Sequence, residues 1–172
     1  MLIEYSIKGF KSFAEQTTVD IKAKNYKILT NTNTNTDNVL KGLMFVGANA
    51  SGKSNVVLAL KLLLDLLFAK TDISISNYKC KFGSEEISLS YKFLIDGKEI
   101  IYTVDYNCEE KITVEKLSID GELILDRIGS TATETTSGTK KYIDKIQDGS
   151  LILREIYFNS KFRNNEVLKK WF

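Results

Sequence analysis

The chain has 172 residues, with 43% apolar and 27% charged side chains and a formal net charge of +2. This is ordinary for a folded domain and does not advertise a nucleic-acid binder, although a local basic patch remains compatible with it. There is no histidine, which excludes Ser-His-Asp and Cys-His catalysis and every histidine-liganded metal site.

The two cysteines, Cys80 and Cys108, are too few for a disulfide framework and fit a reduced, cytoplasmic setting. The N-terminal "LIEYSIKGF" alternates, with Ile3, Tyr5 and Ile7 on one face, and predicts a half-buried strand. Glu4 and Lys8 interrupt any apolar run there, so no secretory leader is read. "TTVDIKA" alternates again and predicts an antiparallel partner across "KSFAEQ". "NTNTNTDN", residues 31 to 38, is a polar loop.

"GLMFV" differs in kind. Leu43, Met44, Phe45 and Val46 are consecutive apolar residues, the pattern of a strand covered on both faces. The segment 53 to 69 predicts a helix that is apolar nearly all round, buried between layers, with Lys61 and Asp65 as a wet i,i+4 stripe. Those charges and its length argue against a membrane span.

From residue 86 the period becomes two: "EISLSYKFLI", "IIYTVDY", "KITVEKLSI" and "ELILDRI" predict a meander, with Asp-Gly hairpins at 96–97 and 120–121 and a bulge near Lys116. Residues 129–141, "GSTATETTSGTKK", predict a mobile loop. "LILREIYF" reads as another strand or a buried element, and the aromatic end at Trp171 and Phe172 suggests a fragment ending mid-domain.

The corner between the apolar run and the helix, Gly47-Ala48-Asn49-Ala50-Ser51-Gly52-Lys53-Ser54, matches the phosphate-binding loop G-x-x-x-x-G-K-[ST]. Such a loop wraps a polyphosphate with backbone N–H groups, so glycine is needed where a side chain would block close approach. The helix N-terminus adds free donors and partial positive charge. Lys53 is expected to bridge the β- and γ-phosphates of a nucleotide, and Ser54 Oγ to ligate Mg²⁺. A small GTPase is disfavoured, because "DRIG" at 126–129 follows a hairpin and no N-K-x-D follows it. A small-molecule kinase is disfavoured because about forty residues with two strands precede the loop.

With "IKGFKSFAEQTTVDI" at 7–21, "MFVGANASGKSNVVLAL" at 44–60 and the meander from "SYKFLIDGKEIIYTVDY", the chain resembles the RecF/SMC-like, ABC-type P-loop ATPases. It is most similar to the stand-alone prokaryotic AAA-family ATPases of restriction and phage-defence systems, the RloA-, AriA- and OLD-like proteins. The resemblance implies an α/β P-loop ABC-type ATPase lobe over residues 1–172: an N-terminal antiparallel sheet over the nucleotide, a buried P-loop helix and an antiparallel β-meander. It implies ATP and Mg²⁺ as ligands of Gly47, Asn49, Ala50, Ser51, Gly52, Lys53, Ser54 and Asn55, with Lys11 and Ser12 approaching the phosphates or base. It further implies hydrolysis in a head-to-head homodimer of a full-length protein engaged in DNA maintenance or phage defence, with DNA and a nuclease or other effector as partners and no membrane. The alternative is a non-hydrolysing nucleotide-sensing or scaffold module that assembles with an effector nuclease.

The hydrolytic motifs of such ATPases are not found. "FLID" (93–96) and "LILD" (123–126) end in Asp, but Gly97 and Arg127 stand where the catalytic Glu belongs, and "KLSIDG" (116–121) imitates the signature only weakly. No catalytic residue is therefore assigned. The chain reads as the N-terminal lobe of a longer ATPase.

Overall fold

A computed structural model describes residues 1–24, 29–68, 73–83, 85–107, 109–136, 138–158 and 165–172. Eight strands form one sheet in the order β2-β1-β3-β4-β5-β6-β7-β8. They are β1 (Leu2–Lys8), β2 (Thr17–Asp20), β3 (Ile87–Ile95), β4 (Lys98–Tyr106), β5 (Ile112–Ile119), β6 (Glu122–Ile128), β7 (Thr131–Thr136) and β8 (Thr139–Ile143). The helices are the single turn α1 (Thr30–Asn33), α2 (Lys53–Phe68), the 3-10 turn η1 (Ile75–Tyr78), α3 (Ile152–Phe158) and α4 (Glu166–Trp171).

Period-two alternation puts one row of side chains on the inner face. Val19, Tyr5, Tyr91, Tyr102, Leu117 and Leu125 are paired in register across six strands. All but Val19 are buried. The segment between β2 and β3 leaves the sheet, carries the phosphate-loop motif and lays α2 across this face. Two tyrosine hydroxyls fix the helix there: Tyr5 donates to the Val56 carbonyl at 3.1 Å and Tyr91 to the Ala59 carbonyl at 2.7 Å.

The expected α/β lobe does not form. The protein is dominated by the eight-stranded sheet, and every strand pair among the described residues is antiparallel. The N-terminal pair and the meander, expected as separate units, are one continuous sheet. Residues 43–46 belong to no strand, and no backbone bond ties residues 42–46 to another described segment. Phe45 packs against the core, while Met44 is 83% and Val46 81% exposed. With no layer outside it among the described residues, α2 is not the buried helix expected. Val56, Ala59, Leu62, Leu63, Leu66 and Leu67 face the sheet, and Val57, Leu64 and Phe68 face outward. Four apolar residues in a row therefore do not make a central strand where no neighbouring strand is at hand to bond their backbone.

Two further expectations change. Residues 129–141 were expected as a mobile loop, but β7 and β8 pair there as a hairpin on the far edge. Of the two readings of "LILREIYF", the buried element is the one that forms: it is α3, with Ile152, Leu153 and Ile156 buried. The bulge expected near Lys116 lies one step on, between Leu117 and Ser118, and a second irregularity sits at Asp105/Tyr106. Cys80 is buried as a free thiol, while Cys108 and the last residue of the predicted 53–69 helix lie outside the described residues.

Candidate nucleotide-binding site

The site is built from the loop upward. Gly47 to Ser51 lie exposed ahead of α2, with Asn49 at the exposed tip. Ala50 has a positive φ of 62° and Gly52 one of 91°, so the chain curls into the left-handed region twice before the helix starts. At Gly52 the glycine is required twice over. A Cβ there would stand 3.0 Å from Ser12 Oγ and 3.3 Å from Phe13 Cζ.

The helix that follows presents its free donors at the same place. Asn55 N and Val56 N both reach the Gly52 carbonyl, at 2.9 and 3.1 Å. Lys53 N and Ser54 N, the first two of α2, have no acceptor among the described residues. The end of a 16-residue helix carries the usual unsatisfied N–H groups and about half a positive charge.

Lys53 folds back over the loop. Its Nζ donates to the Gly47 carbonyl at 2.9 Å, the Ala48 carbonyl at 2.6 Å and Ser51 Oγ at 3.4 Å. The ammonium is thus held at the mouth of the loop by neutral acceptors. Phosphate oxygens are stronger partners for it, because they add the attraction of opposite charges to the hydrogen bond. Ser54 is exposed in the first turn, where its hydroxyl can meet a solvated cation. Among the described residues no cluster of His, Cys, Asp or Glu could hold a metal ion alone.

The hairpin-like turn after β1 leans on this loop. Phe10 N and Phe13 N each donate to the other residue's carbonyl, at 3.0 and 2.8 Å, and Lys11 takes φ 51° at the corner. Ser12 reaches the loop: Asn55 Nδ2 donates to Ser12 Oγ at 3.0 Å. Lys11 points elsewhere. Its backbone N–H donates to the Tyr78 carbonyl at 2.7 Å, its Nζ to the Asn77 carbonyl at 2.6 Å, and the ammonium lies 5.4 Å from the Tyr78 ring centre. The geometry brings Ser12, Gly52, Lys53, Ser54 and Asn55 together and leaves Lys11 parked on η1.

Sequence reasoning missed Phe13, which packs on Gly52, and Asn77 and Tyr78, which hold Lys11. No local pattern marks the last two, because their role depends on a contact more than sixty residues away. The weak motif look-alikes lie outside the loop. Asp96 sits in the β3–β4 turn and pairs with Lys170, and Asp126 in β6 stands across from Lys116.

A cavity of about 600 Å³ lies at the other end of α2, lined by Leu66, Ile75, Tyr106, Lys111, Ser150 and Arg154. Leu66 lies 13 residues along the helix from Lys53, roughly 20 Å away at 1.5 Å per residue. That cavity takes no part in the phosphate loop. No protein-family model matches the chain, and no curated protein matches it.

Proposed function

We propose that the chain binds ATP with Mg²⁺, the polyphosphate lying in the loop Gly47–Ser54 against the N-terminus of α2. The observation that carries this reading is the coincidence, at one corner, of three things. Gly52 takes a positive φ and lets Ser12 and Phe13 close against the loop, α2 begins with two N–H groups that have no acceptor among the described residues, and Lys53 waits on neutral acceptors. On binding, Lys53 would exchange the Gly47 and Ala48 carbonyls for phosphate oxygens. The metal would neutralise phosphate charge, and Ser54 would hold it in place.

By resemblance, the wider reading is a RecF/SMC-like ATPase head that works in DNA maintenance or phage defence in the cytoplasm, as a head-to-head homodimer. Among the described residues no helix is long and apolar enough to cross a membrane. Lys53→Ala removes charge-assisted bonds of roughly 1.5–3 kcal/mol, and so lowers ATP affinity at least about tenfold. Titration calorimetry with ATP and Mg²⁺ checks this, and an unchanged affinity would sink the phosphate-loop reading. With no base-reading N-K-x-D motif, ATP should bind at least as well as GTP in the same titration.

One observation favours the non-hydrolysing alternative for this chain by itself. Asp96 and Asp126, the two sequence candidates for a catalytic carboxylate, are engaged in a hairpin turn and a strand pair. A group that positions water typically contributes about 10²–10⁴-fold. Phosphate release from ATP by the 172-residue chain should therefore equal that of Lys53→Ala. Steady release well above that control would make the chain an ATPase in its own right.

A further inference from the structure

We infer that Asn55 is a positioning residue for the phosphate site, acting through Ser12 of the turn that follows β1. The inference rests on the ATP-binding reading and goes beyond it. Asn55 stands in the first turn of α2, and its amide donates to Ser12 Oγ at 3.0 Å. A serine hydroxyl has one proton to give and two lone pairs to accept with. Because Asn55 can only donate through that nitrogen, it occupies a lone pair and leaves the Ser12 proton uncommitted. No acceptor for that proton exists among the described residues.

The place where that proton is left is set by the rest of the turn. Phe10 is fully buried and stacks on Tyr78 with ring centres 5.7 Å apart. Lys11 is tied to η1 through both its backbone and its ammonium. The turn is thus clamped from one side, and Ser12 is its exposed residue on the other. Its oxygen lies 3.0 Å from where a Gly52 Cβ would be, directly against the residue that opens α2. A neutral donor is therefore held against Gly52, the residue that precedes the free N–H groups of Lys53 and Ser54. The ligand that fits such a donor is a phosphate oxygen of the bound nucleotide. Asn55 aims the hydroxyl, and Ser12 makes the contact.

The bond could instead only tie the turn to the helix, and a double-mutant cycle in ATP affinity separates the two roles. A hydrogen bond from a neutral donor to a charged oxygen corresponds to about a tenfold loss or more when deleted. Ser12→Ala and Asn55→Ala should each weaken ATP binding about tenfold, and the double variant should lose no more than Ser12→Ala alone. Thermal unfolding midpoints are measured alongside. If Asn55→Ala proves unstable, Asn55→Asp replaces it. A carboxylate suits the first turn of a helix. It repels phosphate in either background but captures the Ser12 proton only where Ser12 is present. Asn55→Asp should therefore cost more ATP affinity in the wild-type background than in Ser12→Ala, and an equal cost in both would overturn the inference.

Additive losses would show that Asn55 acts independently of Ser12, overturning the inference. Wild-type affinity in all three variants, with Lys53→Ala still defective, would overturn it and leave the phosphate loop standing. Failure of the wild-type chain to bind ATP at all would overturn both.

Discussion

At the scale of single residues, the most constrained charge is Glu115. It and Arg127 have no solvent exposure and stand 3.6 Å apart on the inner face of the sheet. The carboxylate accepts from Ile152 N and Leu153 N, both at 2.9 Å, and from the Tyr102 hydroxyl at 3.2 Å. Arg127 donates to the carbonyls of Gly129, Gln147 and Ser150. The pair thus pins α3 and the 147–150 segment to the sheet. Burial pushes the Glu115 pKa above its ordinary 4.5, outweighing the pull of the Leu153 and Ile152 N–H groups, Arg127 and Tyr102.

The sign of the linkage follows. A carboxyl whose pKa is raised in the folded state contributes stability that is full below the unfolded value. It is lost as pH rises through the folded value. Relative to Glu115→Gln, the wild-type protein should therefore lose stability as the pH climbs from about 4.5 upward. Urea midpoints of the two proteins across that range test it, and the difference isolates Glu115 from the surface acids. A wild type that gains on the variant with rising pH would mean the hydrogen bonds to Glu115 outweigh its burial. Glu115→Ala, which leaves Arg127 buried without its counter-charge, should cost about 3–5 kcal/mol.

At the scale of elements, α2 tests how one-sided the structure is. Leu62 is fully buried against the sheet, while Leu64, two positions on, is 58% exposed. Deleting the first side chain should cost about 2–5 kcal/mol, and deleting the second less than about 0.5. Equal costs for Leu62→Ala and Leu64→Ala in chemical denaturation would show that the outer face of α2 is covered in solution.

The same scale shows what was legible in the sequence. The strands β3 to β6 were readable because alternation survives wherever one face is buried and the other wet. The loop and the start of α2 were readable because Gly47, Gly52 and Lys53 serve local geometry. α3 was not, because its first N–H groups are satisfied by Glu115, 37 residues earlier. Nor was the β7–β8 hairpin, whose Thr-rich composition resembles a loop until β6 offers it a ladder: Leu125 pairs with Glu134 and Arg127 with Ala132. The apolar run at 43–46 misled for the opposite reason. Its composition promised a strand on both sides, and among the described residues none pairs with it, although Phe45 packs on the core.

For the whole molecule, that run sets how the protein behaves as a solute. An exposed apolar segment whose backbone groups pair with no described strand is a place onto which an extended chain can add. Met44 and Val46 lie outward along it, and the bare side of α2 adds Val57 and Leu64. A net charge of only +2 offers little electrostatic repulsion to keep two such molecules apart. Light scattered per unit mass should therefore climb with protein concentration, and more steeply in added salt, where screening removes what repulsion there is. Met44→Lys places a charge on the segment without touching the phosphate loop. It should flatten that climb while leaving ATP affinity unchanged. If scattering rises as steeply in the variant, the molecules meet through some other surface, and the exposed segment is tolerated by water as it stands.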